Sequence, residues 1–189
     1  MCDLTDFFEA HPRSMRISSF DNYNLSVLEE YKLPKDIIEF LKKDGISTYH
    51  NDFLSSTLPQ EHFQVFSEWG LKGTECFAFL KTALGTLCFY RAGKIFRLDP
   101  ITGHLYKGKF EFCEFMNLVT TFDSFLESCY FDIYQKIEKK KVLAYDEIYG
   151  LVPALPLGGS FETSHFEVVK INEHLGFLAQ LFDNKAKNL

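Results

Sequence analysis

The side chains best able to perform chemistry are scattered along this chain and do not form known motifs. Ser160 follows two glycines, but it has neither the GxSxG turn of a serine hydrolase nor a phosphate-binding glycine loop around it. No two histidines have the HxH, HExxH or HxxxH spacing that places two imidazoles on one metal ion. The sequence therefore predicts no metal, no cofactor and no catalytic residue. The six histidines stand at His11, His50, His62, His104, His165 and His174.

Two pairs of carboxylates are close enough in sequence for general acid and base catalysis. Glu111 and Glu114 lie three residues apart on a predicted helix face, and Asp146 and Glu147 are adjacent. Such pairs do this work only where the environment separates their pKa values, which spacing alone does not establish. A solvated helix face is the simpler interpretation of Glu111 and Glu114.

Cysteine usage and the start of the chain favour a cytoplasmic protein. Five cysteines are an odd number, and they have neither CxxC nor zinc-like spacing. We expect reduced thiols in the core at Cys2, Cys76, Cys88, Cys113 and Cys129. The first residues carry acids where an export signal needs basic residues and an apolar run. No stretch is long and apolar enough to predict a membrane span.

Charge is distributed in blocks along a chain of 189 residues whose net charge is −6. Residues 21–68 hold nine acids and four lysines, residues 71–109 hold two acids and seven bases, and residues 110–135 hold five acids and no base. The overall sign argues against nucleic acid as the main partner. The acidic blocks are either solvated faces or a surface that attracts a basic protein.

If the acidic blocks bind a partner, their exposed carboxylates and one aromatic side chain are the candidates for contact. For Trp69 we expect the core rather than an interface, because Phe63 and Phe66 lie on the same apolar face of the predicted helix. The candidate contact residues are Asp44, Asp52, Glu61, Glu68, Trp69, Glu111, Glu114, Asp123 and Glu127.

The order of apolar patterns predicts an α+β domain. Helical periodicity after Pro34 and Pro59 precedes a run of short aromatic-rich strands from Cys76 to Tyr106, and helical spacing returns after Lys109. A helical turn is also predicted at Tyr23–Tyr31, and a final strand is followed by a helix capped by Asn172. We expect an antiparallel or mixed sheet of about four to six strands flanked by helices. The parts are residues 1–70, mainly helical, and 71–189, sheet plus helices, packed as one compact unit.

An apolar loop interrupted by proline and glycine follows the second helical region. Two prolines and three glycines exclude a regular helix or a central strand from Tyr149 to Gly159. We expect this loop to be a buried, rigid connection to the last helix. Its structural motif comprises Asp146, Glu147, Tyr149, Gly150, Pro153, Pro156, Gly158 and Gly159.

Two stretches resemble families of bacterial immunity proteins. Residues 33–49, a proline-led helix with a glycine stop, resemble the GAD-like domain. The Leu98–Gly103 turn and above all the 146–159 loop look like the domain that commonly follows it. The pairing is typical of immunity proteins of type VI secretion that protect a cell from a DNase effector. The resemblance covers about residues 21–182.

The resemblance implies a binding protein without turnover. It would neutralise a toxin, namely a nuclease of type VI secretion, by steric and electrostatic occlusion. Two alternatives stay open from the residues. One is a small ligand-binding or enzymatic domain with a pocket near residues 145–159, where Asp146, Glu147 and Tyr149 would converge. The other is a house-keeping scaffold. The oligomeric state is not determined by any pattern in the chain.

Overall fold

A computed structural model describes residues 2–18, 33–138 and 141–182 of the chain. The predicted turn at Tyr23–Tyr31 lies outside these residues. The predicted α+β class is confirmed, but the sheet is larger than expected. Seven antiparallel strands pair in chain order, and a separate two-stranded sheet follows them.

The helices and strands are short. The helices are α1 (Thr5–Ala10), α2 (Lys35–Asp44), α3 (Phe63–Glu68), α4 (Phe112–Glu114), α5 (Asp123–Ser128), α6 (Phe131–Lys136) and α7 (Ile171–Leu181). The strands are β1 (Arg13–Ser18), β2 (Ile46–Tyr49), β3 (Leu54–Ser56), β4 (Phe77–Thr82), β5 (Leu87–Arg91), β6 (Lys94–Asp99), β7 (His104–Lys107), β8 (Glu147–Leu151) and β9 (Phe166–Lys170). A π-helical turn, Phe115–Val119, directly continues α4.

The two proline-led helices form where the sequence predicts them. Pro34 caps α2, and Gly45 ends it with a φ of 66°, in the left-handed region that favours glycine. Pro59 begins a 3-10 turn that leads into α3. These terminal signals are local, so they fix helix boundaries without help from distant residues.

The N-terminal part supplies the strands β1, β2 and β3 in addition to its predicted helices. β3 pairs with β4, with Ser55 opposite Lys81, so one continuous sheet spans the proposed boundary at residue 70. The strands β2 and β3 consist largely of Ser, Thr and Tyr, and all their residues are buried. Their strand conformation therefore depends on pairing with neighbours more than on apolar alternation.

Helices cover both faces of the sheet. Along β5, Leu87 and Phe89 join one apolar cluster, whereas Cys88 joins the other, as the alternation of side chains in a strand requires. The first cluster contains residues of α3 and α7, including Phe66 and Leu175. The second contains residues of α1, α2 and the helices after β7. α3 and α7 therefore form a layer of their own on one side of the molecule.

The prediction that all five cysteines are reduced thiols is wrong. Cys2 and Cys113 form a disulfide whose Cα atoms are 5.6 Å apart, while Cys76, Cys88 and Cys129 are free and buried. The disulfide fastens the start of the chain to α4. The sequence does not reveal this pair, because the number of cysteines is odd and the two partners lie 111 residues apart.

The apolar loop of the C-terminal part is largely exposed. Pro153, Pro156 and Gly158 are exposed, which corrects the expectation of a buried connection. Gly159 is required by close approach, since a Cβ atom there would lie 1.9 Å from the backbone oxygen of Pro153. The loop joins β8 to β9 and so does not reach the last helix directly. Among the described residues, no helix is long and apolar enough to cross a membrane.

Candidate functional site

A groove runs between α3 and α7 on the outer side of their layer, and we name it the α3–α7 groove. Its volume is about 360 Å³, which lies in the range of sites that accept a side chain or short segment of a partner. α3 contributes its exposed edge, and α7 contributes the face opposite its buried leucines. The lining residues are Glu61, Gln64, Val65, Glu68, Asn172, Glu173, Gly176, Phe177 and Gln180.

Close helix packing forms the floor of the groove. A Cβ atom on Gly176 would lie 2.3 Å from Oε2 of Glu68, so the glycine lets the Glu68 carboxylate rest against α7. Beside it, the indole Nε1–H of Trp69 donates a hydrogen bond of 3.0 Å to the Leu175 carbonyl oxygen. Trp69 is fully buried, which corrects its inclusion among the contact residues. Its role is to join α3 to α7 beneath the groove.

The groove is acidic and carries one exposed aromatic ring. Glu61, Glu68 and Glu173 are its charged residues, and no lysine, arginine or histidine lines it. Within the described part of the chain, none of the three carboxylates has an ion-pair partner within 4.0 Å. Phe177 remains 45% exposed. The arrangement suits a cationic partner with an apolar contact, because unpaired carboxylates attract charge and the ring offers area for burial.

A buried hydrogen-bond network supports the Glu61 end of the groove. The His62 Nε2 atom lies 2.7 Å from Thr57 Oγ1, and its Nδ1 atom lies 2.8 Å from Asn172 Oδ1. The Asn172 amide in turn donates to the Glu61 carbonyl oxygen at 2.9 Å. Asn172 is therefore not the cap that we predicted for α7; it lies in the first turn and ties that helix to the 3-10 turn before α3.

The same network holds the Glu61 carboxylate in a partly desolvated position. Tyr145 bonds the Glu61 side chain, and its hydroxyl oxygen accepts a 3.1 Å hydrogen bond from the Leu58 amide. Burial raises the pKa of Glu61, and the hydrogen bond from Tyr145 offsets part of this rise. A carboxylate that is already desolvated and fixed loses less on binding than a mobile one in water.

A fully buried lysine lies behind this network. Lys81 Nζ donates to the Glu147 backbone oxygen at 3.2 Å. Burial lowers its pKa to about 8, while the carboxylates of Asp146, Glu61 and Glu147 act in the opposite direction. Its enclosure between strand and loop leaves it no open path to a substrate, so it is a structural cation in this fold.

Four other predicted acids are exposed along the helices after β7. We name residues 111–127 the helical acidic segment. Glu111 and Glu114 form a capping box at the start of α4, in which the Glu111 amide donates to Glu114 Oε2 at 3.3 Å. Asp123 and Glu127 are exposed on α5. Two large apolar side chains are exposed in the same segment, Leu118 at 47% and Phe122 at 59%.

Two further predicted contact residues lie in the N-terminal part of the chain, Asp44 at the end of α2 and Asp52 in the turn between β2 and β3. Asp44 is buried, forms an ion pair with Arg13 and accepts a hydrogen bond from the Tyr49 hydroxyl, which corrects its assignment as a contact residue. Burial raises the pKa of its carboxyl to about 6. Asp52 is exposed in the turn between β2 and β3, where its backbone amide donates to Ser14 Oγ at 3.2 Å. Asp52 thus remains available.

The segment 145–159 does not form the pocket that the alternative function needs. The cavities beside it measure about 20 Å³ and 10 Å³, the space of a single water molecule. Asp146 and Glu147 point to Lys170, at 2.8 Å and 3.3 Å. The Tyr149 hydroxyl instead bonds the backbone of Lys141. These three side chains therefore do not converge on a common point.

The remaining candidates for chemistry also have structural partners. His165 Nδ1 lies 3.2 Å from Ser160 Oγ, and 3.3 Å from the Ser160 carbonyl oxygen. His165 and Ser160 are five residues apart, so this contact links two positions of one loop. Across residues 2–18, 33–138 and 141–182, no group of three metal-binding side chains is assembled.

The pattern of charges in the sequence predicts two residues of the groove. The other residues come together only through packing between helices that are distant in sequence. Glu61 and Glu68 were predicted and share the groove, whereas Glu173 and Phe177 were missed. A sequence signal for these two existed, because they lie four residues apart on α7, off its buried stripe. Nothing in the sequence places them opposite α3.

Comparisons with known proteins place this geometry in a family context. Residues 110–182 match the family described as T6SS immunity protein Tdi1, C-terminal. This Tdi1-like segment includes α7 and the helical acidic segment, and it excludes α3. No curated protein matches the chain.

A solved structure shares the fold over nearly the whole chain. It is the crystal structure of Atu4351 from Agrobacterium tumefaciens, which is 13% identical, has a TM-score of 0.73 and covers 94% of this chain and 89% of that chain. At this identity the likeness concerns the fold. The N-terminal residues that resemble a GAD-like domain lie outside the family match, so that resemblance remains a prediction.

Proposed function

We propose that this protein is an immunity protein of type VI secretion that binds one toxin effector and blocks it by occupancy, without turnover. The single observation that carries the proposal is the α3–α7 groove, which is lined by the exposed Phe177 and by three carboxylates, none of which has an ion-pair partner within 4.0 Å among the described residues. The family match of residues 110–182 supports the class of partner.

The partner we propose is a nuclease that acts in the cytosol. A nuclease presents a cationic cleft to its phosphate substrate, and an acidic inhibitor can occupy that cleft. The net charge of −6 adds long-range attraction, which accelerates encounter and weakens with salt. Because chromosomal DNA lies in the cytosol, protection has to act there.

The proposed interface combines the groove with exposed acids elsewhere. The groove supplies Glu61, Glu68, Glu173 and Phe177, and the helical acidic segment supplies Glu111, Glu114, Asp123 and Glu127, with Asp52 near the β2–β3 turn. A stable complex buries on the order of 1,600 Å² in total, with a few anchors providing most of the affinity. Phe177 is the anchor we assign in the groove.

Charge reversal in the groove tests this proposal. The double variant Glu68→Lys/Glu173→Lys is coexpressed with the toxin domain of an effector that the native protein neutralises, and survival of the cells is counted. We expect loss of protection and an affinity at least about 100-fold weaker, since close charge pairs at interfaces contribute several kcal/mol. Glu9→Lys is the matched control, because Glu9 is exposed on α1 outside both acidic surfaces. Equal protection by the double variant and by Glu9→Lys would refute the groove as the contact.

A further inference from the structure

Two histidines meet at the point where three parts of the chain join. His11 Nδ1 and His50 Nδ1 are 3.0 Å apart, and His11 Nε2 lies 2.6 Å from the Thr120 carbonyl oxygen. His11 is 1% exposed. The rings of Phe7 and Phe131 pack against the two imidazoles, with centroid distances of 5.3 Å and 4.6 Å. We name His11 and His50 the histidine pair.

The carbonyl of Thr120 fixes the positions of the hydrogens in the histidine pair. A carbonyl oxygen can only accept, so Nε2 of His11 carries a hydrogen. Nδ1 of neutral His11 is then a lone pair, and the facing Nδ1 of His50 must be the donor. The neutral pair therefore forms a directed chain from His50 through His11 to Thr120.

The histidine pair can accept one added proton without breaking these hydrogen bonds, but not a second. Protonation of His50 at Nε2 leaves its Nδ1–H donor unchanged. Burial lowers the pKa of His50, and the Ala10 carbonyl and Asp123 offset part of that effect. The next proton would have to enter at Nδ1 of His11, where two N–H groups and two positive charges would oppose each other at 3.0 Å. Burial and the neighbouring His50 lower the pKa of His11.

The charged surroundings of the histidine pair are simple. Among the described residues, Asp123 of α5 is the carboxylate that acts on His50, and the other imidazole is the titratable group that acts on His11. The remaining contacts are backbone carbonyls and phenyl rings. Proton uptake is thus governed by the pair itself and by Asp123.

The histidine pair holds a turn with unfavourable backbone geometry. His50, Asn51 and Asp52 have φ values of 52°, 55° and 64°, the left-handed region that side chains other than glycine rarely adopt. The His50 amide donates to the Pro12 carbonyl at 3.1 Å, and the Tyr134 hydroxyl donates to the Asn51 carbonyl at 2.9 Å. Release of the His50 side chain would remove one of the contacts that hold this conformation.

We propose that the histidine pair is a proton-controlled latch between the turn at residues 50–52 and the chain at Thr120, closed with one added proton and open with two. Opening would release the turn that carries Asp52 from the chain at Thr120. The inference does not depend on the proposed toxin, since it is tested on the protein alone.

Imidazole nitrogen NMR and amide hydrogen exchange, followed while pH is lowered from 7, test the latch in the full chain. We expect two separate titrations, with Nδ1 of His11 unprotonated through the first. The amides of His50 and Phe53 should keep their protection in the first step and lose about tenfold per pH unit below the second. Amides of β5 and β6 report whether the fold as a whole stays intact.

Two variants complete the test. His50→Gln can bond His11 without titrating, so its turn amides should lack the pH-dependent step, whereas His104→Gln alters an exposed histidine and should behave as the native protein. Protonation of both imidazoles with full protection of the turn would overturn the proposal. So would loss of protection at the first titration. Both outcomes are read from the native protein, so the proposal stays testable if His50→Gln does not fold.

Discussion

At the scale of single residues, packing distinguishes the predicted contact residues that are accessible from those that are not. Asp44 and Trp69 have the residue types of an interface, yet both are buried and have polar partners, Arg13 for the carboxylate and the Leu175 carbonyl for the indole. Local sequence shows residue type, whereas burial depends on what folds over the residue. The prediction of nine contact residues is thereby reduced to seven.

Trp69→Phe tests the structural role of the tryptophan. The substitution removes the 3.0 Å hydrogen bond to the Leu175 carbonyl and part of the buried ring that joins α3 to α7. We expect a loss of about 1–3 kcal/mol in the free energy of unfolding, measured by urea titration. Affinity for the toxin should change less than twofold, and a large loss of affinity at unchanged stability would return Trp69 to the interface.

The glycines of the 146–159 loop give a second residue-scale prediction. Gly159→Ala places a Cβ atom against the backbone of Pro153, whereas Gly158→Ala meets nothing within 4 Å and carries only the strain of a φ of 85°. We expect about 1 kcal/mol lost for Gly158→Ala and about 2–3 kcal/mol for Gly159→Ala, by thermal unfolding. The reverse order would contradict close approach as the reason for Gly159.

At the scale of elements, the sequence predicts those whose signals are local. Proline and glycine mark α2 and α3, and aromatic-rich runs mark β4 to β7. β1 and β2 were missed, because Arg13–Ser18 and Ile46–Tyr49 are short and contain few apolar residues. The α3–α7 groove was only half predicted, since its two walls lie about 100 residues apart in sequence and meet only where α3 packs directly on α7.

The disulfide is an element-scale constraint on α1. It closes a loop of 111 residues between Cys2 and Cys113, so it restricts the unfolded chain strongly. We expect a reductant to lower the free energy of unfolding by about 2–4 kcal/mol. Cys113→Ser serves as the control: it should match the reduced native protein and show no response to reductant. An identical stability of oxidised and reduced native protein would contradict the link.

At the scale of the whole molecule, buried histidines make stability depend on pH. Burial lowers the pKa of His11, His50, His62 and His174, and that of His62 to about 4. The unfolded chain, with histidine near 6.5, then binds more protons than the folded one below that pH. Stability contributed by these groups is present above about pH 6.5 and is lost as pH falls.

The pH prediction is measured by urea unfolding at pH 7 and pH 5. His62 alone should cost about 2 kcal/mol on this change, and His62→Gln should remove that share of the pH dependence. Asp44 acts in the opposite direction, because its raised pKa of about 6 favours the folded state on acidification. The comparison of the two proteins isolates the histidine. An equal pH dependence in both would contradict the assignment.

The distribution of charge over the molecule makes binding to a type VI nuclease effector the most direct test of the proposed function. Calorimetric titration of the purified toxin domain with this protein, repeated at several salt concentrations and paired with a nuclease assay, measures affinity and inhibition together. We predict a one-to-one complex with a Kd in the nanomolar range or tighter, weakening as salt rises, and loss of nuclease activity at equivalence. A toxin that neither binds nor loses activity at a molar excess of this protein would contradict the central claim.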